Sequence, residues 1–188
     1  HGRDRRQRQM CIRDSLDYHE NMSDYFEAKS RLFSEVLPQE GAAVLNADVP
    51  EYTILKEMCD RRGVRVLSYG MSGDDVRLVS RTAHGHTQEL FLEVMGRPYC
   101  ITVPFVGAFQ VMNILCALGC VLAESDADVE AYVATLTRLK GVPGRLQHVQ
   151  SPDGKINAYI DYAHTPDALE NVLKALRPHT DGKLICVF

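Results

Sequence analysis

The 188-residue chain is 45% hydrophobic and 24% charged, the proportions of a globular protein in water, which exclude collagen-like, disordered and membrane-embedded classes. Its net charge of −4 gives no general surface for nucleic acid or anionic lipid, although local basic pockets could still hold phosphates. No apolar run approaches the roughly 20 residues of a membrane-spanning helix and the N-terminus lacks a signal core, so a cytoplasmic location is expected.

Residues 1–15 (HGRDRRQRQMCIRDS) hold five Arg and two Asp, a local charge of +3 that leaves −7 on the rest. The segment has no periodicity and almost no apolar residues. It reads as a segment foreign to the fold in preference to a natural solvated arm, and RNA binding by it is disfavoured. The six cysteines (Cys11, Cys59, Cys100, Cys116, Cys120, Cys186) contain no CxxC pair and read as reduced, mostly buried thiols.

From Leu16 the pattern becomes structural. Tyr25, Phe26, Lys29, Leu32, Phe33 and Val36 recur at helical spacing, with Ser23 as the expected N-cap and Pro38 as the stop. A strand follows at GAAVLN, a helix over 51–62 closed by Gly63, and a strand at VRVLSY. Such alternation predicts a parallel sheet covered by helices. Residues 76–103 then alternate in strand fashion and read as an antiparallel addition. Its turn carries His84 and His86; two imidazoles could grip a metal, but no third ligand is near and a solvated turn is preferred.

Residues 107–122 and 126–139 read as two helices buried in a core, the second capped by Ser125 or Asp126. GVPGR (141–145) interrupts the pattern and marks the best domain boundary. Beyond it come strands at LQHV and AYIDY, a helix over 166–176 and a strand at KLICVF, the start of a second, Rossmann-like unit that reads as cut short. The expected division is therefore 1–15 foreign, 16–140 an α/β domain, and 141–188 a hinge with the first part of the next domain.

Asp161 closes the AYID strand ahead of YAHTP, so a carboxylate, an imidazole and a hydroxyl share one loop before a helix. A strand-end Asp in that position could accept hydrogen bonds from a ribose diol. Equally, Asp161, His164 and Thr165 could do no more than cap the helix.

These strings resemble a known family. DYAHTPDALENVL (161–173) preceded by GVPGRLQHV (141–149) is similar to the junction between the central and C-terminal domains of Mur ligases, in particular the branch that adds the third peptide residue to UDP-N-acetylmuramoyl-L-alanyl-D-glutamate. LDYHENMSDYFEAKSRLF (16–33), VGAFQVMNILCAL (106–118) and, more weakly, VLNADVP (44–50) agree in order and spacing.

The resemblance implies an enzyme that uses ATP and Mg²⁺ to convert a substrate carboxylate to an acyl phosphate, which an incoming amine attacks to form an amide. Its partners would be UDP-MurNAc-L-Ala-D-Glu and a diamino acid, meso-diaminopimelate or L-lysine, and it would act as a monomer. Carried over by residue, Lys29 matches the lysine that is carbamylated to organise the metal. Gln110 and Asn113 match the adenine-side amides, Arg145 the hinge arginine, Asp161 the ribose carboxylate, and His164 a neighbour in the same loop.

Three departures go with this. Asp14-Ser15 stands where the family has Asp-His, Gln110 replaces the usual Asn, and the GTNGKT-type phosphate loop and the amino-acid-selecting motif are not among these residues. This stretch alone is expected to be inactive. The other readings are a cyanophycin or folylpolyglutamate synthetase type of ligase, or a nucleotide-binding module without chemistry.

Overall fold

The computed structural model describes residues 22–187 except 126, 152 and 155. Residues 1–15 with their Asp14-Ser15 departure, the LDYHEN segment and Asp126 lie outside the described residues. The chain divides into two compact units, residues up to Ala43 with Thr53–Val66, and Val44–Tyr52 with Leu67–Phe188.

In the first unit, α1 (Met22–Arg31) runs on into a π-helical turn, Leu32–Val36. The helix already contains Met22, so Ser23 sits inside its first turn and is not the N-cap that the spacing suggested. The turn ends at Leu37, whose φ of −63° and ψ of 125° are extended, the conformation that a following proline favours. Carbonyls left unpaired at this end are satisfied from α2 (Tyr52–Arg62): Arg62 donates to Phe33 O at 2.6 Å and to Leu37 O at 2.7 Å. The α2 helix closes in a Schellman motif, with Gly63 (φ +69°) donating to Asp60 O and Val64 to Cys59 O. The left-handed backbone at Gly63 suits glycine, and the buried Cys59 and Val64 supply the apolar contact that accompanies the motif.

Strands β1 (Ala42–Asn46), β2 (Arg65–Gly70), β3 (Val76–His84), β4 (Thr87–Val94) and β5 (Arg97–Val103) form one sheet in that order. The α/β alternation expected from the sequence is present. β2 and β3 run parallel, and the stretch read as an antiparallel addition continues the same sheet as β3, β4 and β5. The β4 face is sharply alternating: Gln88, Leu90, Leu92 and Val94 are buried, and Phe91 between them is exposed.

Helix α3 (Ala108–Glu124) buries Val111, Ile114, Leu115, Leu118 and Leu122, a three-and-four spacing on one face. Each such side chain contributes on the order of 1.5–3 kcal/mol of apolar burial as an upper estimate. The helix is not buried all round, since Phe109 and Val121 stay exposed. Its approach to β1 is close: a Cβ on Gly119 would lie 2.7 Å from Val44 Cγ1.

Helix α4 (Val129–Leu136) is capped by Asp128, whose carboxylate accepts from Ala131 N at 3.0 Å. Ser125 does not cap it: its hydroxyl accepts from Ala127 N at 3.4 Å, ahead of the helix start, and its own N–H bonds Val121 O at 3.0 Å to close α3.

Strands β6 (Gln147–Gln150) and β7 (Asn157–Ile160) pair antiparallel in a sheet of their own. Helix α5 (Pro166–Leu176) starts as its sequence dictates, with the Thr165 hydroxyl accepting from Ala168 N, Pro166 in the first turn and Asp167 at the positive end. Val106, Leu146 and Leu176 form a small core here, covered by Tyr159, Val172, Ala175 and Leu184.

The strand expected at KLICVF does not form: Leu184 packs on this core, but residues 184–187 have no ladder partner and Ile185 and Val187 are almost fully exposed. An apolar extended segment becomes a strand only when a neighbour takes its N–H and C=O groups. The thiols also differ from expectation. Among the described cysteines all are free, yet only Cys59 is buried; Cys116 is half-buried and Cys100, Cys120 and Cys186 are exposed. Among the described residues no helix is long and apolar enough to cross a membrane.

Candidate functional site

Helix α3 and the GVPGR loop meet through side-chain amides. Gln110, one turn into α3, donates from Nε2 to the Arg145 carbonyl at 3.2 Å, and its Oε1 accepts from Asn113 Nδ2 at 3.4 Å. The i, i+3 spacing sets the two amides on one helix face. Arg145 enters by its backbone, which turns on its own N–H bond to Val142 O.

The next residue continues the chain. Leu146, held at φ +45°, donates its N–H to Asp161 Oδ2 at 2.8 Å, while Asp161 Oδ1 accepts from Ala163 N at 2.8 Å. Tyr162 N donates to Gly144 O at 3.0 Å. Asp161 therefore sits just past β7 and ties the hinge loop to the start of the α5 loop.

Gln110, Asn113, Arg145 and Asp161, up to 51 residues apart in sequence, are joined in one array by these hydrogen bonds and the peptide unit between Arg145 and Leu146. Neither of the two readings of Asp161 was complete: it is a structural staple, but each carboxylate oxygen carries one N–H and keeps a second lone pair. The amides are half-exposed or exposed, the carboxylate half-buried. Those residues fit a ribose diol and an adenine edge, which need acceptors and amide donors at a solvent-reachable surface.

His164 is exposed at the same loop, with Nδ1 2.9 Å from Tyr162 O and its ring edge-on to Tyr162 at 5.1 Å between centroids. Thr165 is committed to the α5 cap.

Lys29 belongs to the other unit. Its side chain is exposed, with Nζ 4.5 Å from the centre of the Tyr25 ring one turn earlier. The buried position of α1 is Ser30, whose hydroxyl donates to Glu27 O at 2.8 Å. The helical spacing sets Lys29 among the apolar positions of α1, and its long stem nevertheless carries the ammonium to solvent. Among the described residues no three His, Cys, Asp or Glu side chains cluster closely enough to hold a metal ion. His84 and His86 are both exposed, and the His86 ring stacks on His148 at 4.8 Å.

Sequence reasoning missed two groups around the start of α3. Gln88 is fully buried and donates from Nε2 to Phe105 O at 3.1 Å and Gly107 O at 3.2 Å. A polar residue on the apolar phase of QELFLEV was the available signal. His179 bonds Gly107 and Gly85, and no periodicity marks it. A cavity of about 160 Å³ lined by Phe105, Leu146, His148 and Tyr159 lies nearby, below the several hundred Å³ of small-molecule pockets.

Comparison with known proteins bears on the family. The Mur ligase middle domain matches residues 12–121 and the Mur ligase glutamate ligase domain residues 144–188. The chain belongs to the Mur ligase family. Among its relatives, the UDP-N-acetylmuramoyl-L-alanyl-D-glutamate--2,6-diaminopimelate ligase of Zymomonas mobilis is 42% identical over 94% of this chain and 36% of its own length. The ligase of the same name from Caulobacter vibrioides is 44% identical over 93% of this chain and 36% of its own. A solved UDP-N-acetylmuramoyl-L-alanyl-D-glutamate--2,6-diaminopimelate ligase superposes with a TM-score of 0.69 at 29% identity, covering 86% of this chain and 33% of that one. The chain spans about a third of the length of the curated relatives it matches.

Proposed function

We propose that this chain is the adenosine-binding part of an ATP-dependent amide ligase that joins a diamino acid, meso-diaminopimelate, to UDP-MurNAc-L-Ala-D-Glu in peptidoglycan synthesis. The carrying observation is the array Asn113–Gln110–Arg145–Asp161, which links two stretches of a Mur ligase sequence through groups suited to a nucleoside. Diaminopimelate is preferred over L-lysine because relatives at 42% and 44% identity are named for it. The synthetases for cyanophycin and folylpolyglutamate are less well supported by the same comparison. Residues 16–140 and 141–188 are read as parts of the central and C-terminal domains, in a cytoplasmic monomer.

ATP, when bound, supplies the phosphoryl group that activates the substrate carboxylate for attack by the amine. The chain's own residues would orient its nucleoside: Asp161 would accept from the ribose hydroxyls with its remaining lone pairs, Gln110 and Asn113 would supply amide groups for the base, and Arg145 and His164 would stand beside them. Magnesium would accompany the triphosphate, with a carbamate on Lys29 as the anion this chain would offer it. Lys29 would contribute an anion only after Nζ adds to CO₂ and releases a proton.

The test is Asp161→Ala in the intact ligase. Losing two charge-assisted bonds to a diol should raise the KM for ATP by about tenfold or more. An unchanged KM would remove the ribose assignment. A crystal structure with an ATP analogue seated elsewhere would remove the whole reading.

A further inference from the structure

The backbone just before α3 is tied down by side chains. Gly107 is the N-cap with φ +86° and offers no side-chain cap of its own. Its N–H donates to His179 Nε2 at 3.3 Å and its carbonyl accepts from the buried Gln88 amide at 3.2 Å. A Cβ here would come within 2.8 Å of Ala175 Cβ, so α5 lies directly on this residue and only glycine fits. The second nitrogen of His179, Nδ1, is 2.7 Å from Gly85 O in the β3–β4 turn.

These two partners make opposite demands. A carbonyl requires a proton on Nδ1, and an N–H requires a bare lone pair on Nε2. Only the neutral Nδ1–H tautomer meets both. A second proton would turn Nε2 into a donor aimed at the Gly107 N–H and break that contact.

We propose that neutral His179 is a positioning residue, a latch that holds Gly107 and hence the first turns of α3, and that protonation of its ring releases the latch. The inference rests on the proposed nucleoside role of Gln110 and Asn113, which stand one and two turns beyond Gly107.

The surroundings agree in sign. Burial lowers the ring's pKa, the Arg81 cation from β3 lowers it further, and the bond to Gly85 opposes them by favouring the charged ring. Arg81 is itself held toward this network, donating to Gln88 Oε1 at 3.0 Å. Arg177, on the same 3₁₀ turn as His179, is directed to the Thr180 and Gly182 carbonyls. The partners on the β3–β4 turn and the α3 start are backbone groups without charge. With the folded pKa below its ordinary value of 6.5, the unfolded chain binds the proton more readily. The latch contribution is full above that ordinary value and declines as pH falls through it.

The test measures amide hydrogen exchange at Gly107, corrected for intrinsic rates, in the intact ligase from pH 8 to pH 5. Protection should fall by about tenfold toward pH 5 in the native protein. In His179→Gln, whose amide can donate and accept without titrating, it should stay level with pH. His179→Ala should show low protection throughout and a KM for ATP about fivefold higher, with a smaller change in kcat, the size of one lost hydrogen bond. Equal Gly107 protection in the native protein and the alanine variant at pH 7.5 would overturn the latch. So would the same pH profile in the native and glutamine proteins. Protection lost with an unchanged KM for ATP would uphold the latch and overturn the nucleoside role of Gln110 and Asn113.

Discussion

Asp161 has room for two tasks on one side chain, the staple that is observed and the ribose contact that is proposed. As a staple it accepts from one backbone N–H on the hinge loop, at Leu146, and one in its own loop, at Ala163. As a proposed ribose ligand it uses the lone pairs that point the other way. Lys29 is the opposite case, since its carbamate role depends on surroundings its own exposed position does not provide. In the intact ligase, Lys29→Ala should lose most activity and regain part of it with added short-chain carboxylate, which replaces the negative charge that a carbamate on Nζ would carry. Full activity of the variant would reject the carbamate. The identity of the hinge and loop residues was legible because motif strings carry them. The exposure of Lys29 was not: Tyr25, Phe26 and Phe33 bracket it at helical spacing, and a lysine's long stem lets it leave an apolar stripe for water and an aromatic face.

At the level of elements, helix ends were readable where local chemistry decides them, as at Gly63, Thr165 and Pro166. They were misread where several capping side chains lie close together: Ser125 or Asp126 was expected, and the helix starts later, at Asp128. Helix α3 must approach β1 at Gly119. Gly119→Ala would gain about 1 kcal/mol in helix propensity. It would also push a methyl to 2.7 Å from the stiff, β-branched Val44. Overpacking of this kind costs about 1–3 kcal/mol, so the melting temperature should fall by a few degrees. Pairing it with Val44→Ala should recover part of the loss, measured as a double-mutant cycle. The β4–β5 hairpin turns on Met95 and Gly96 at φ +50° and +74°, the geometry of a type I′ turn. Asn tolerates that conformation better than Met, and Met95→Asn should raise thermal stability slightly, by about 0.5–1 kcal/mol.

Over the whole molecule, the sequence conveyed the α/β class and the Mur ligase family, because motif order survives in one dimension. The pairing of KLICVF and the two ties at Gly107 depend on what lies beside a segment in space, and no spacing records that. The central claim is that residues from α3, the hinge and the Asp161 loop hold one adenosine. The most direct measurement compares binding of ATP with 2′,3′-dideoxy-ATP by calorimetry in the intact ligase and in its Asp161→Ala variant. The account predicts that the native protein binds the ribonucleotide about tenfold or more tightly, and that the variant binds the two alike. Equal affinities in the native protein, or an undiminished preference in the variant, would contradict it.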